Sequence, residues 1–359
     1  MHASVKFYLA CTCFETKKIK MKKSLIVPLL SWLITLSCSN DKSLTFDSYK
    51  DLKTIIIVDD LPVRIPGDFI ITDSCFIIIN PFGSDYVLKA YSVENGEFLF
   101  DFVKKGNGPF EIAAPSTIHY NDFINVFDIA TQKIVSYDFT CHNATQAHLK
   151  EIQLQSDLFA DKLLLYDSLN ALVLSTNLPG IVSKISLNSY ENSSVVANPF
   201  SEYDNSEIGQ QLNGTIKFDP YGNYLAFAIY NTPYYSLQRI ENGKFVELAS
   251  GFLKEPEYIV SGEKFQWIKE LTPNGFMDIA LLPDRLFLLH ADIPLKDAES
   301  RSIEAIPDII YELDYRGRLM THYALDIRVL RLASDKNGKL YGIAFDQKDD
   351  KFKIVELPV

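Results

Sequence analysis

Along most of this chain apolar and polar positions alternate, and one compound phrase keeps returning: a short apolar run, a polar turn, a second short apolar run. It reads Phe69–Ile71/Phe76–Ile79, Ile118–Tyr120/Phe123–Phe127, Leu163–Tyr166/Ala171–Leu174, Thr215–Phe218/Tyr224–Ala228, Ile279–Leu282/Leu286–Leu289 and Leu330–Ala333/Leu340–Ala344. Successive phrases start roughly 50 residues apart, a period in the range of β-propeller blades. Beyond the first 40 or so residues no i, i+3, i+4, i+7 apolar stripe persists, so strands are predicted rather than helices.

Outside each inner hairpin sits a second apolar unit carried through a tight turn. Val87–Tyr91 passes Asn95-Gly96 to Phe98–Val103, Tyr235–Ile240 passes Asn242-Gly243 to Phe245–Leu248, and Ile309–Leu313 passes Arg316-Gly317 to Leu319–Tyr323. Asn-Gly between such runs signals a hairpin, because a type I′ turn needs positive φ at both central residues. Inner and outer hairpins together give four strands, one propeller blade. The last blade is a strand short, with only Phe352–Leu357 left, while Lys53–Val58 is a spare strand near the start. Pairing the two closes a ring and removes two open sheet edges. The predicted fold is therefore all-β, a six-bladed β-propeller over residues 51–359. Phe252–Asn274 stretches the period and predicts an inter-blade insertion with a short helical turn around Gly262–Leu271.

The front end is different. Met21-Lys22-Lys23 is basic, and Ser24–Ser37 is uncharged and mostly apolar, too short to span a bilayer comfortably but suited to a signal peptide. Residues 1–20 read as an upstream start, and 21–37 as the signal. The segment ends Thr35-Leu36-Ser37-Cys38, which resembles a bacterial lipoprotein cleavage site. That resemblance implies that Cys38 becomes the lipidated first residue, with 38–50 as a tether. The other reading is a secreted protein cut near Ser37.

The full chain has a net charge of −11, and without residues 1–37 it keeps 29 basic and 45 acidic residues, about −16. A nucleic-acid partner, which demands a positive surface, is excluded. Of five cysteines, Cys11 and Cys13 fall in the removed segment, which leaves Cys75 and Cys141 beside Cys38. They are expected as buried, unpaired thiols, with a disulfide as the alternative in an oxidising compartment.

One loop, Lys104-Lys105-Gly106-Asn107-Gly108-Pro109-Phe110-Glu111, follows the first blade's outer strand. With the lipoprotein signal and six repeats, it makes the chain resemble the TolB-like six-bladed β-propeller lipoproteins of gut anaerobes. Those often carry Gly-x-Gly-Pro-Gly-Glu there; this chain has Phe110 at the third glycine. The resemblance implies a cell-envelope propeller and no particular reaction. A loop between blades lies on the face where propellers usually bind ligands, so Lys104, Lys105, Gly106, Asn107, Gly108 and Glu111 are candidate rim residues. The competing reading is that glycine and proline only turn the chain. Tyr230, Tyr234 and Tyr235 join the rim as candidate exposed aromatics, offering flat apolar area with a polar tip.

Compact catalytic motifs are missing from the sequence: no Cys-x-x-Cys, no His-Glu-x-x-His, no Gly-Lys-Ser/Thr and no Gly-x-Ser-x-Gly. His119 and His290 lie by inner hairpins, as channel candidates or as packed side chains. Asp73, Asp122, Asp167, Asp219, Asp284 and Asp335 fall one per blade at inner-hairpin turns. A ring of acids would suit calcium, but Asp is also a preferred turn residue. No metal or other cofactor is assigned. Asp167-Ser168-Leu169 resembles the O-glycosylation sequence of the same bacterial group, making Ser168 a candidate.

The function expected is a monomeric cell-envelope lipoprotein, held to the outer membrane by its lipid, facing periplasm or exterior. Its ring would bind a protein, peptide or glycan partner without catalysis. The alternative is a periplasmic or surface hydrolase or lyase with a channel-mouth site, calcium-dependent in one version. A third reading, a bare scaffold, predicts a channel plugged by Phe and Tyr.

Overall fold

Strand burial in this protein depends on a strand's place within its sheet, and the sequence pattern follows suit. The computed structural model describes residues 48–359 apart from 141–142, 156, 176, 179, 204–207, 220, 262–263 and 301. The upstream start, the signal peptide, Cys38 and Cys141 lie outside the described residues.

Two strands come first, β1 (Ser48–Leu52) and β2 (Ile55–Leu61). Blade one is β3 (Phe69–Ile71), β4 (Cys75–Ile79), β5 (Tyr86–Ser92) and β6 (Phe98–Lys104). Blade two is β7 (Pro115–Tyr120), β8 (Ile124–Asp128), β9 (Lys133–Thr140) and β10 (Asn143–Gln153). Blade three is β11 (Lys162–Leu165), β12 (Asn170–Leu174), β13 (Val182–Ser186) and β14 (Asn192–Val196). Blade four is β15 (Gly214–Phe218), β16 (Tyr224–Ile229), β17 (Tyr234–Glu241) and β18 (Lys244–Phe252). After a separate hairpin, β19 (Tyr258–Ser261) and β20 (Lys264–Trp267), blade five is β21 (Phe276–Leu282), β22 (Arg285–His290), β23 (Ile309–Asp314) and β24 (Leu319–Leu325). Blade six is β25 (Arg328–Ser334), β26 (Leu340–Asp346) and β27 (Lys351–Leu357), completed by β2.

Second strands read as unbroken apolar runs because each blade is covered on both faces by its neighbours; β4 and β8 are buried at every position. Outer strands such as β6 and β18 keep exposed positions. Six apolar clusters fill the gaps between blades, one per gap. Hydroxyls near the axis tie adjacent inner strands: Thr117 Oγ1 donates to Leu163 O (2.7 Å) and Ser334 Oγ to Leu281 O (2.6 Å).

Ring closure is as the pattern predicts. β2 pairs antiparallel with β27, with Ile55 opposite Glu356, Ile56 opposite Val355 and Val58 opposite Ile354. Val58 packs with Phe76 and Ile78 of blade one, filling the last gap. A further strand was not legible: β1 runs parallel to β24, from Ser48 opposite Thr321 to Leu52 opposite Leu325. Ser48–Lys50, assigned to the tether from sequence, thus belong to a fifth strand on blade five. Among β1 residues only Leu52 is buried, so no apolar pattern announced it.

Most of the span expected to hold a helical turn, Gly262–Leu271, belongs to the β19–β20 hairpin, and a single turn follows only at its end, where Leu271 N and Thr272 N donate to Ile268 O (2.9 and 2.8 Å). Tyr258, Phe265 and Trp267 share one side of the hairpin and pack against Phe200 at 5.3–5.5 Å, which is period-two spacing and therefore strand geometry. Among the described residues helix occurs as α1 (Leu295–Ala298) and as tight turns at Gly209–Leu212 and Ile303–Ala305. Cys75 is disulfide-bonded, which corrects the expectation of a free thiol; its partner lies outside the described residues.

Because strand direction alternates, hairpin turns joining first to second and third to fourth strands share one face of the ring. Loops joining second to third strands, and blade to blade, share the other. We call these the turn face and the loop face. β1 follows the direction of β24.

Candidate functional site

Two charged residues interrupt inner strands, and the fold brings them together at the axis with Asp68, which directly precedes β3. Lys217 of β15 donates through Nζ to Asp68 Oδ1 (2.8 Å), Asp278 Oδ2 (3.1 Å) and Leu332 O (2.8 Å). Asp278 of β21 also accepts from Thr215 Oγ1 (3.1 Å), Ile279 N (2.9 Å) and Leu332 N (2.9 Å). The three charged side chains are only 2–13% exposed. Burial works against the Lys217 charge, yet Asp278 and Asp68 hold its pKa above the ordinary lysine value. Burial likewise pushes Asp68 up, but Lys217, with Lys162 and Arg331 acting through space, keeps it below the usual carboxylate range.

This ion cluster stoppers the axis. Toward the turn face it leaves a cavity of about 80 Å³, lined by Phe69, His119, Tyr120 and Phe218, with room for a few waters. His119 packs 5.4 Å from Phe218, and burial draws its pKa down to about 4, so it is neutral at pH 7. The scaffold reading expected an aromatic plug; here charge does much of the closing.

The glycine loop after blade one is a latch. Lys105 Nζ donates to Pro81 O (3.1 Å) and Gly83 O (3.0 Å). Glu111 Oε2 accepts from Gly108 N (2.9 Å), and its carboxylate fills the space where a Cβ on Gly106 or Gly108 would overlap it. Lys133 of blade two donates to Gly108 O (2.8 Å), and Glu151 Oε2 accepts from Phe110 N (2.6 Å). Phe110 takes φ +56°. The left-handed geometry that glycine favours is therefore kept without glycine. Lys104 and Asn107 are exposed on this loop.

Tyr234 and Tyr235 are each 6% exposed, contrary to the expectation of surface aromatics. They begin β17, whose two faces meet different neighbours: Tyr234 packs on Phe252, and Tyr235 donates to Gly317 O (3.3 Å). Tyr230 is half-buried and borders a groove described below. Ser168 is exposed on the turn face, beside an Asp167 carboxylate that accepts from Leu169 N (2.7 Å) and Asn170 N (2.8 Å). Two other turn acids serve similarly: Asp219 Oδ1 accepts from Asn223 N (2.6 Å) and Tyr224 N (2.7 Å), and Asp335 Oδ1 from Asn337 N (2.9 Å) and Lys339 N (2.8 Å), whereas Asp73 and Asp284 pair with Lys336 and Arg285. His290 is buried, with Nδ1 3.1 Å from Gly275 O.

On the loop face, a groove of about 620 Å³ opens over blades four, five and six. One wall is aliphatic, from Leu295 and Ala298 of α1 and from Ile303, Ala305 and Ile306 just after it. Opposite stand Met277, Leu330, Phe345 and Phe352, while Tyr230, Asn231, Asn274, Glu299 and Arg331 supply polar atoms. Two insertions hold the wall in place. Leu295 N donates to Thr272 O (2.9 Å), Lys296 N to Lys269 O (3.1 Å) and Asn274 N to Ile293 O (2.9 Å). Lys269 also pairs with Glu299 at 2.6 Å. Beyond this wall lies a second, polar cavity of about 620 Å³, lined by Gln211, Gln266, Trp267 and Lys296 and sharing Asn231 and Glu299 with the groove.

Sequence reasoning missed the groove, although the span from Ala291 to Asp308 between two strands of one blade was too long for a hairpin and marked a built loop. Arg331 within Leu330–Ala333 was a further signal: a cation inside an apolar inner strand points to the axis.

Comparison with known proteins agrees with this architecture. The chain is a six-bladed β-propeller. No protein-family model and no curated protein sequence matches it. Among solved structures, it is similar to a Bacteroides fragilis protein provisionally named as exported, at 14% identity and TM-score 0.55, covering 88% of this chain and 99% of that one. It is also similar to a member of the DUF4221 family from Bacteroides vulgatus, at 12% identity and TM-score 0.57, covering 86% and 96%. The calcium-binding protein regucalcin from Agrobacterium tumefaciens follows at 9% identity and TM-score 0.50, covering 86% and 96%. Identities this low show the fold alone.

Proposed function

We propose that this protein is an exported, lipid-anchored propeller of the TolB-like kind that binds a protein or peptide partner in its loop-face groove. The groove itself carries the reading: an open, mostly aliphatic trough with a few convergent polar groups, built by two insertions that latch each other. A glycan site would favour flat exposed rings, and Tyr234 and Tyr235 are buried. A hydrolase would need axial acids free to act, and Asp68 and Asp278 are engaged by Lys217. Export is supported by the Met21–Ser37 segment, by the disulfide at Cys75 and by the likeness to a provisionally exported Bacteroides protein.

Selection of displayed random peptides on the immobilised protein tests the groove, with Ala298→Trp, which fills it, alongside. Peptides enriched on the wild type and lost on the variant support the reading; no enrichment, or enrichment indifferent to the variant, refutes it. For the anchor, Cys38→Ala is expected to move the protein from the membrane to the soluble fraction, and an unchanged distribution refutes lipidation there.

A further inference from the structure

We infer, building on the groove reading above, that the occupant is an apolar peptide ending in a free α-carboxylate, seated against Arg331. Two cations stand near the axis on the loop side of the ion cluster, Lys162 from blade three and Arg331 from blade six. Both act on Asp68 through space, but Asp68 takes its ion pair from Lys217 (2.8 Å). Among the described residues neither Lys162 nor Arg331 forms an ion pair. Arg331 Nη1 donates to Leu330 O (2.9 Å), which uses one of the five N–H donors a guanidinium carries. Lys162 Nζ sits over the Tyr230 ring, 5.5 Å from its centre, and Tyr230 lines the groove. In a chain of net charge −11, two cations that form no ion pair among the described residues, Arg331 lining the aliphatic trough and Lys162 over the Tyr230 ring at its edge and near Asp161, are complementary to a ligand that is apolar along its body and anionic at one end. Asn231 and Asn274 border the same trough and offer amide donors and acceptors suited to a peptide main chain. Capture of a terminal carboxylate by such donors is a recurring recognition mode, and a guanidinium binds it through two parallel, charge-assisted hydrogen bonds.

A library of random heptapeptides displayed with free C-termini is selected on the full protein, and enriched sequences are synthesised as acids and as C-terminal amides. On the wild type the acids are expected to bind at least about tenfold more tightly than the amides. In Arg331→Met that ratio falls to within about twofold, Arg331→Lys recovers part of it, and Lys162→Met lowers it less. Melting curves confirm that each variant is folded. Equal affinity of acid and amide on the wild type, with both still blocked by Ala298→Trp, overturns the carboxylate inference while leaving the groove reading intact. No enrichment at all overturns both. Binding of decanoate without any enriched peptide reassigns the groove to a fatty acid and likewise overturns the inference.

Discussion

Replacing Lys217 by methionine tests the ion cluster at the axis most directly. Methionine keeps the length of the side chain and removes the ammonium, so Asp68 and Asp278 face each other nearly buried without their counter-ion. Removing one partner of a buried pair costs about 3–5 kcal/mol, because the charge left behind is uncompensated. For a chain of this size that corresponds to a fall in Tm of roughly 5–10 °C at neutral pH. The loss should depend on pH in a definite sense. Lys217 has a raised folded pKa, so its contribution is complete below the unfolded lysine value and is lost as pH climbs through the folded one. Asp68 has a lowered folded pKa, so its contribution is present above the unfolded value of 3.8 and is lost as pH falls through the folded one. The wild type therefore holds both contributions between acid and strongly basic pH. In Lys217→Met, Asp68 has lost its main counter-charge and becomes easier to protonate, so acidification relieves the variant. Differential scanning fluorimetry from pH 4 to pH 8 should show a gap in Tm that is wide at pH 7.5 and narrow at pH 4. Adding Asp68→Asn to Lys217→Met should recover part of the gap at neutral pH. A gap that is constant with pH, or below 2 °C throughout, refutes the assignment of Lys217 as the counter-ion of two acids.

Val58→Asp puts a carboxylate into the gap where blade six meets blade one; urea unfolding should show a loss of about 3 kcal/mol or more, and a neutral result would sink the closure by β2. His119 should stay neutral down to about pH 5, its ring NMR signal titrating near 4. As the folded value lies below the unfolded one, stability drops while pH falls from 6.5 towards 4; His119→Phe should flatten that part of the curve, and an unchanged slope refutes it. Gly96 takes φ +73° and its Cβ would overlap Ile57 O, so Gly96→Ala should destabilise by about 1–3 kcal/mol, measured by thermal melting. Cys75→Ala should cost about 2–4 kcal/mol under oxidising conditions and little once the wild type is reduced.

The blade repeat was legible because a sheet packed on both sides demands continuous apolar runs in its second strand, and Cys75–Ile79 and Leu286–Leu289 supply them. Closure was legible because Thr54–Val58 and Phe352–Leu357 were the two apolar runs left over. Ser48–Leu52 escaped notice because a parallel edge strand at a blade's rim can be polar. Tyr234 and Tyr235 misled because neighbouring residues on a strand point opposite ways, and between two blades both directions are interior. The axial cluster could not be seen in the sequence at all: Lys217 reaches Asp68 across 149 positions and Asp278 across 61. The groove was hidden for a related reason, since its walls come from loops with no period, fixed by main-chain bonds between Thr272 and Leu295 and between Lys269 and Lys296.

Sewing the beginning of the chain to its end also sets a timetable. Ser48 and Thr321, whose side chains share a hydrogen bond, are separated by 273 positions, and Lys351 meets Asp60 across 291. β1 and β2 precede all six blades in the chain, yet they pair with β24 and β27, so Ile55 and Ile56 must wait without a mate while nearly 300 further residues are made. Pairings this distant form slowly. A chain whose final seam cannot be sewn early remains threadable for longer, which is the condition a polypeptide must satisfy if it is to pass a narrow pore before it acquires its shape.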